Sequence, residues 1–375
     1  MKFICEHANL DDNENRIYTL SSNDKVDYIV SIINRCGYSV EMISPTKTHN
    51  KKGFYKKRVD EIRNDFSIIS GPIFGTKTRT GYKLQKLFSL IWLFFYLLKN
   101  CKKNEIVFAY HSVDKALFVS LAKKIKKFKL VLEVEELFFG LSNVGALRKK
   151  IEMKYINCAN AYICASNEIE IQINKNKKPF SIANGAYIVQ NNNVNARNGK
   201  KIVYAGLIVS DGAASKSIKV SRYLDSSYTI YIIGYGNQKN IEELKIEIEK
   251  ENEKNECKVY YEGTKRGNEY IDFLNNCDIG LCPLPVDNKY QLSCFPSKIT
   301  SYISNGLSVV TTRNPVLVNS DYHDLLFFVD NDNPSDYASV IKSLNNKERK
   351  DNNSIIKELD KKLKESFEIM LKEIK

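Results

Sequence analysis

Two doubly wound α/β domains in tandem are the fold that the sequence predicts, on three observations. Short apolar runs alternate with amphipathic helical patterns from one end of the chain to the other. The alternation breaks once, at the polar stretch 190–199 (Gln-Asn-Asn-Asn-Val-Asn-Ala-Arg-Asn-Gly), and then restarts. A chain of 375 residues exceeds one compact core and suits two domains of ordinary size. The expected division is a first domain over 1–189, a linker over 190–199, a second domain over 200–350 and an amphipathic helix over 351–375.

In the first domain strands are expected at Lys2–Cys5, Tyr38–Ile43, Phe66–Ile69, Ile106–Tyr110, Leu130–Val134 and Ala161–Ala165. The clearest helix is Asp24–Arg35, where Val26, Ile29, Val30 and Ile33 form one apolar stripe and Gly37 stops it. The second domain repeats the rhythm with strands at Ile202–Ala205, Thr229–Ile233, Val259–Tyr261, Ile279–Cys282, Ser308–Thr311 and Leu326–Val329. Helices are expected between them at Ile241–Lys250, Asn268–Cys277 and Lys298–Ser304. Ile356, Leu359, Leu363, Phe367, Met370 and Ile374 recur at helical spacing, which predicts a C-terminal helix packing back onto the body. Parallel sheets of this kind bind ligands at the carboxyl ends of their strands, so a cleft between the two sheets is the expected site.

Composition narrows the function. Nine cysteines form no CxxC pair and four histidines are scattered, so neither a disulfide framework nor a zinc site is readable, and a reducing cytosol fits. The Met1 start leads straight into an apolar strand without the basic and small-residue parts of a signal peptide, so a cytoplasmic location is expected. The longest apolar run, Leu87–Leu98, falls short of the roughly 20 residues that span a bilayer. Charge is uneven: residues 1–200 carry 33 Lys and Arg against 18 Asp and Glu, and residues 201–375 carry 24 against 26. A basic surplus confined to one half predicts an anionic partner for that half. Nucleic acid is disfavoured, because the lysines flank an apolar run without a reader motif.

Three segments carry candidate chemistry. Tyr231-Ile-Ile-Gly-Tyr-Gly-Asn237 resembles a dinucleotide fingerprint, but Lys239 stands where the third glycine belongs, so a dehydrogenase reading weakens. Its two glycines either let a ligand approach the backbone or form a plain turn. In Phe295-Pro-Ser-Lys298 a helix opens with Lys298 in its first turn, against the helix dipole, which an anion bound there would reconcile. Glu133, Glu135 and Glu136 close a strand, and a carboxylate there either takes a proton from an attacking hydroxyl or caps the next helix. His111 closes the preceding strand and is a second candidate base.

The ordered set Tyr204-Ala-Gly206, Ile232-Ile-Gly-Tyr-Gly236, Tyr261-Glu-Gly263, Cys277-Asp-Ile-Gly-Leu281, Phe295-Pro-Ser-Lys298 and Asn305-Gly-Leu307 resembles the donor half of GT-B nucleotide-sugar glycosyltransferases. It resembles the class that builds bacterial capsule and lipopolysaccharide, group 1 or family 4-like. Arg35-Cys-Gly-Tyr-Ser-Val-Glu41, the Asn104–His111 strand, Leu132–Leu137 and Ile182-Ala-Asn-Gly185 resemble its acceptor half. The resemblance implies two Rossmann-like domains facing across a cleft, with Gly206, Lys216, Gly234, Tyr235, Gly236, Gly263, Ser293, Pro296, Ser297, Lys298, Ser301 and Tyr302 around the donor. It further implies transfer from a UDP-linked sugar to a lipid-linked saccharide, with no metal and no other cofactor. Ser293 and Ser301 stand where the family carries two Glu, and Leu207 where it carries an Arg, so diphosphate charge falls to Lys298 with Lys216 or Lys219. The departures leave a catalytically silent GT-B partner subunit open, and a GT-B-fold epimerase is the other alternative.

Lys83, Lys86, Lys99, Lys102 and Lys103 bracket the Leu84–Leu98 helix, and Lys123, Lys124, Lys126, Lys127 and Lys129 extend the basic patch. With Trp92 and Tyr96 inside, the run reads either as an element lying on an anionic membrane surface, at the inner face of the cytoplasmic membrane, or as a core helix. Asp330-Asn-Asp332 reads as a loop before a helix and not as a metal-binding pair.

Overall fold

The computed structural model describes all residues except 9–13, 19, 139–143, 190–199, 211, 285–293 and 345–351, and omits the side chains of 20–22. The expected linker therefore lies outside the described residues. The chain divides into two compact units, Met1–Ala186 with Lys361–Lys375, and Tyr187–Asp360.

The first unit begins β1 (Lys2–Ile4), α1 (Leu20–Arg35), β2 (Val40–Ser44), β3 (Phe54–Tyr55), β4 (Arg58–Arg63), β5 (Phe66–Ser70), β6 (Ile73–Phe74) and α2 (Arg79–Asn100). It continues β7 (Ile106–Tyr110), α3 (Val113–Lys126), β8 (Lys129–Val134), α4 (Ala146–Cys158), β9 (Ala161–Cys164), α5 (Asn167–Ile173) and β10 (Phe180–Ile182). Its main sheet has the order β10-β9-β8-β7-β1-β2-β5-β4, parallel except where β4 runs against β5. The central strands are buried on both faces, so they read as unbroken apolar runs such as Ile106-Val-Phe-Ala109. Phe3 lies beside Phe108 in the ladder, and their rings stack 5.7 Å apart. Val26, Ile29, Val30 and Ile33 of α1 are all fully buried, each contributing about 1.5–3 kcal/mol by area. The sheet grows one way from β1 through β2 and β5, and the other way from β7 through β10, so its switch point lies between β1 and β7.

The second unit runs β11 (Lys201–Leu207), α6 (Ala213–Lys219), β12 (Thr229–Tyr235), α7 (Gln238–Lys254), β13 (Lys258–Tyr261), α8 (Gly267–Asn275) and β14 (Ile279–Cys282). It ends α9 (Ser297–Ser304), β15 (Ser308–Thr312), α10 (Pro315–Val318), β16 (Leu326–Val329), α11 (Pro334–Leu344) and the start of α12 (Asn352–Ile374). The sheet order β13-β12-β11-β14-β15-β16, all parallel, is the doubly wound order whose switch point falls between its first and fourth strands, β11 and β14. Ile202, Ile230, Ile232, Ile279, Leu281 and Val310 form the centre of its core. The last part of α12 packs in the first unit, burying Leu363, Phe367 and Met370, and Ser366 bonds Ser181 at 2.8 Å.

Four features differ from expectation. The charged hairpin partner β4 was not expected; its sequence Arg-Val-Asp-Glu-Ile-Arg is an edge strand, where charge guards open backbone. The strand before Glu135 ends at Val134, so Glu135 and Glu136 lie beyond it. The Leu84–Leu98 run is neither wholly core nor wholly surface: Leu90, Leu93 and Leu97 are buried, while Leu84, Leu87, Ile91 and Phe95 are exposed. Trp92, expected as a membrane anchor, is half-buried and packs against Gly71, where a Cβ would meet its ring at 2.5 Å.

Candidate functional site

Each unit gathers polar groups at its own switch point. In the second unit β11 ends on Gly206-Leu207 and β12 on Gly234-Tyr235, side by side in register. A Cβ on Gly234 would lie 1.8 Å from the Gly206 carbonyl oxygen, so only glycine lets these strand ends close together. Gly234 donates to the Gly263 carbonyl at 2.9 Å, and its own carbonyl accepts from the Tyr261 hydroxyl at 3.0 Å and the Thr264 hydroxyl at 3.1 Å. Gly236 is equally confined, with Ile208 O only 2.6 Å from where its Cβ would sit. Leu207 and Tyr235 project, exposed, from the same edge.

Beside this edge α9 begins at Ser297 after Pro296, and no side chain caps its first turn. Lys298, in that turn, lays its ammonium over the Tyr204 ring at 4.2 Å from the centroid. Its Nζ would be 3.0 Å from a Cβ on Gly206, which places the charge at the end of β11, at the switch point. The lysine is half-buried, and no carboxylate pairs with it among the described residues. An ammonium held beside a strand end and an uncapped helix start has the charge and the free amides that suit an anion. The aromatic face stabilises the charge but does not neutralise it.

Two expectations for this edge are corrected. Lys216 forms an ion pair with Asp332, so its charge is already matched, and Asp332 also accepts from the Tyr337 hydroxyl at 3.2 Å. Tyr302 is fully buried: its hydroxyl accepts from Ala205 N at 2.7 Å and its ring fills the space over Gly280, where a Cβ would come within 2.3 Å. It anchors α9 to the sheet and leaves Lys298 facing outward. Ser301 donates to the Tyr270 hydroxyl at 3.1 Å. Ser293 lies outside the described residues. Lys219 sits 3.6 Å from Glu247.

In the first unit the ends of β7 and β8 bring together Tyr110, His111 and the three glutamates. Glu133 is fully buried beside Tyr110 in the ladder, and neither carboxyl oxygen has a hydrogen-bond partner among the described residues. Burial, reinforced by the charge of Glu135, pushes its pKa well above the usual carboxylate range, against the pull of Lys25 and Lys115. Glu135 is half-buried and pairs with Lys25 at 3.2 Å, and Lys25 in turn donates to the Ala183 carbonyl at 2.5 Å. Lys25 and Lys115, both buried, were not picked out in the sequence, where a lysine inside a helix reads as surface. Glu136 is half-buried.

His111 is buried between the rings of Phe138 and Tyr155, with a hydrogen bond to the Glu136 backbone. Desolvation lowers its pKa to about 4, and the nearby Lys115 charge acts in the same direction, against the Glu136 backbone bond. A side chain 4% exposed has little access to substrate, which corrects the expectation of His111 as a base. The sign of its linkage follows: the unfolded chain protonates its histidine near pH 6.5, and the folded one only near 4. Stability is therefore lost as pH falls from 6.5 towards 4, by up to about 3 kcal/mol. Denaturant melts of wild type and His111→Gln across that range should show the loss in wild type and a flatter response in the variant. Glu133 acts with the opposite sense. Its stability contribution is present below the unfolded pKa and fades as pH rises through the folded one, so Glu133→Gln should flatten the alkaline limb.

No protein-family model matches the chain, and no curated protein matches it in sequence. Solved structures do match in shape. A trehalose-6-phosphate synthase from E. coli bound with UDP-2-fluoro glucose aligns over 100% of this chain and 99% of its own, with a TM-score of 0.68 and 9% identity. The α,α-trehalose-phosphate synthase (UDP-forming) of Burkholderia xenovorans, in complex with glucose-6-phosphate, aligns over 100% and 99%, with a TM-score of 0.66 and 8% identity. HepE of Anabaena, in complex with UDP, aligns over 99% and 97%, with a TM-score of 0.61 and 10% identity. With two parallel doubly wound sheets and full-length alignment to these structures, the fold of this chain is GT-B.

Proposed function

We propose that the chain is a glycosyltransferase that moves a sugar from a UDP-sugar to a hydroxyl of a lipid-linked saccharide, in the building of a surface polysaccharide such as capsule or lipopolysaccharide. The observation that carries the donor half is the Lys298 ammonium, half-buried over Tyr204 at the switch point with no carboxylate beside it among the described residues. UDP in the HepE structure and UDP-2-fluoro glucose in the E. coli structure support the choice of nucleotide.

In this reading Lys298 and the first turn of α9, at Ser297, hold the diphosphate, and the confined glycines Gly206, Gly234 and Gly236 let it approach the strand ends. The acceptor hydroxyl attacks the anomeric carbon, the bond from that carbon to the diphosphate oxygen breaks, and UDP leaves with the electron pair. The hydroxyl proton passes to Glu135, a half-buried carboxylate that Lys25 holds in place. No metal enters the scheme; Lys298 supplies the positive charge for the leaving diphosphate.

A second reading of the acceptor draws on the glucose-6-phosphate bound to the Burkholderia xenovorans enzyme: a soluble sugar phosphate in place of the lipid carrier. Thermal shift against a panel of nucleotides should raise the melting temperature with UDP and UDP-sugars and not with adenosine or guanosine counterparts. Turnover with labelled UDP-sugar, offered glucose-6-phosphate or a lipid-diphosphate saccharide, then separates the acceptors. Absence of any shift with uridine nucleotides would sink the donor assignment, and binding without turnover on any acceptor would favour a silent subunit.

A further inference from the structure

We infer that the exposed face of α2 and α3 is a docking surface for an anionic lipid bilayer. On α2 the exposed apolar side chains are Leu84, Leu87, Ile91 and Phe95, spaced at three and four residues along one stripe. On α3 they are Leu117, Leu121 and Ile125, again one stripe, and the Phe94 and Phe118 rings meet at 6.4 Å where the helices pack. Seven large apolar side chains thus lie exposed on two adjacent helices, more than scattered surface residues require.

The charge at one end of this face identifies the occupant. Helix α2 leads into β7 and α3 leads out of it towards β8, so both run the same way and finish at the same edge of the sheet. The two exits are tied together: Asn104 N donates to Lys127 O at 3.1 Å and Lys129 N to Glu105 O at 2.8 Å. Lys103, Lys123, Lys124, Lys127 and Lys129 surround an open depression of about 650 Å³ there. Between residues 79 and 104 there is no acidic residue at all, and between 113 and 129 only Asp114, which pairs with Lys86 at 2.5 Å.

Lysines in the last turn of a helix answer its dipole, which accounts for Lys99, Lys123, Lys124 and Lys126. It does not account for Lys102, Lys103, Lys127 or Lys129. Lys127 also takes a left-handed conformation, φ +58°, where glycine would be the unstrained choice. A second copy of the chain is a poor occupant, since it would bring the lysine clusters together. A bilayer satisfies both parts: the stripe enters the acyl boundary while the ammonium groups stay among lipid phosphates. This deepens the lipid-linked acceptor proposed above, and its test measures no glycosyl transfer, so it stands or fails apart from donor binding.

Sedimentation with vesicles of phosphatidylglycerol and phosphatidylcholine, against phosphatidylcholine alone, tests it. Wild type should pellet with the anionic vesicles at low salt and release as salt approaches about 0.5 M. Leu87→Ser with Phe95→Ser should lower partitioning by roughly tenfold or more, since both side chains lie outside the core. Lys124→Glu with Lys127→Glu should lower it on the order of 25-fold or more. Unchanged UDP binding and circular dichroism show that the variants fold. The inference is overturned if wild type stays in the supernatant with anionic vesicles, or if neither pair of substitutions weakens pelleting. It is equally overturned if sedimentation velocity shows a dimer that Leu87→Ser with Phe95→Ser dissolves, which would assign the face to a second copy.

Discussion

Glu135→Gln is expected to lower turnover by about 100-fold or more while UDP affinity stays where it was. The substitution keeps size and hydrogen-bonding capacity and removes only the ability to take a proton. It leaves Lys25 bonded to the Ala183 carbonyl, so the local fold survives. Glu133→Gln should leave turnover near normal, because a fully buried carboxyl has no access to a substrate proton. Glu136→Gln is the control that separates neighbours. Near-normal turnover in Glu135→Gln with a loss in Glu136→Gln would move the role by one residue, and near-normal turnover in both would remove this loop from the chemistry.

Lys298→Ala should weaken binding of UDP and UDP-sugars by about 10- to 150-fold, equivalent to the 1.5–3 kcal/mol of a charged hydrogen bond. The effect is expected mainly on the donor and not on stability, since the ammonium is only half-buried and its one described partner is the Tyr204 ring. Lys216→Ala is the comparison. Because Asp332 already neutralises Lys216, its loss should alter affinity little and stability modestly. Calorimetric titration of both variants checks the pair, and equal losses in the two would place the diphosphate elsewhere along α6 and α9.

Much of this was legible in the sequence, for physical reasons that differ by element. Central parallel strands such as Ile106–Tyr110 and Ile279–Cys282 announce themselves because both faces are buried, which leaves no polar alternation to confuse them. The place of Lys298 in a first helical turn was legible because Pro296 and Ser297 open a helix there. Edge strand β4 was not, because the charge that protects an edge also hides it. Tyr302 looked like a ligand contact; its burial depends on Gly280 across the sheet, a complementarity that no local pattern carries. The neutralisation of Lys216 by Asp332 joins residues far apart in the chain. The same holds for the enclosure of Glu133 and His111, since a titratable residue at a strand end reads alike whether sealed or open. The apolar run on α2 satisfied two readings at once, because half of it is core and half is surface.

The central claim is that Lys298 holds the diphosphate of a uridine nucleotide, and the most direct measurement compares UDP with UMP on wild type and on Lys298→Ala by calorimetry. One phosphate more should gain about tenfold or more in affinity on wild type, as a charge-assisted contact would, and that preference should collapse in the variant while UMP affinity changes little. A wild type that binds UDP and UMP equally, or a variant that keeps the full preference for UDP, would contradict the account.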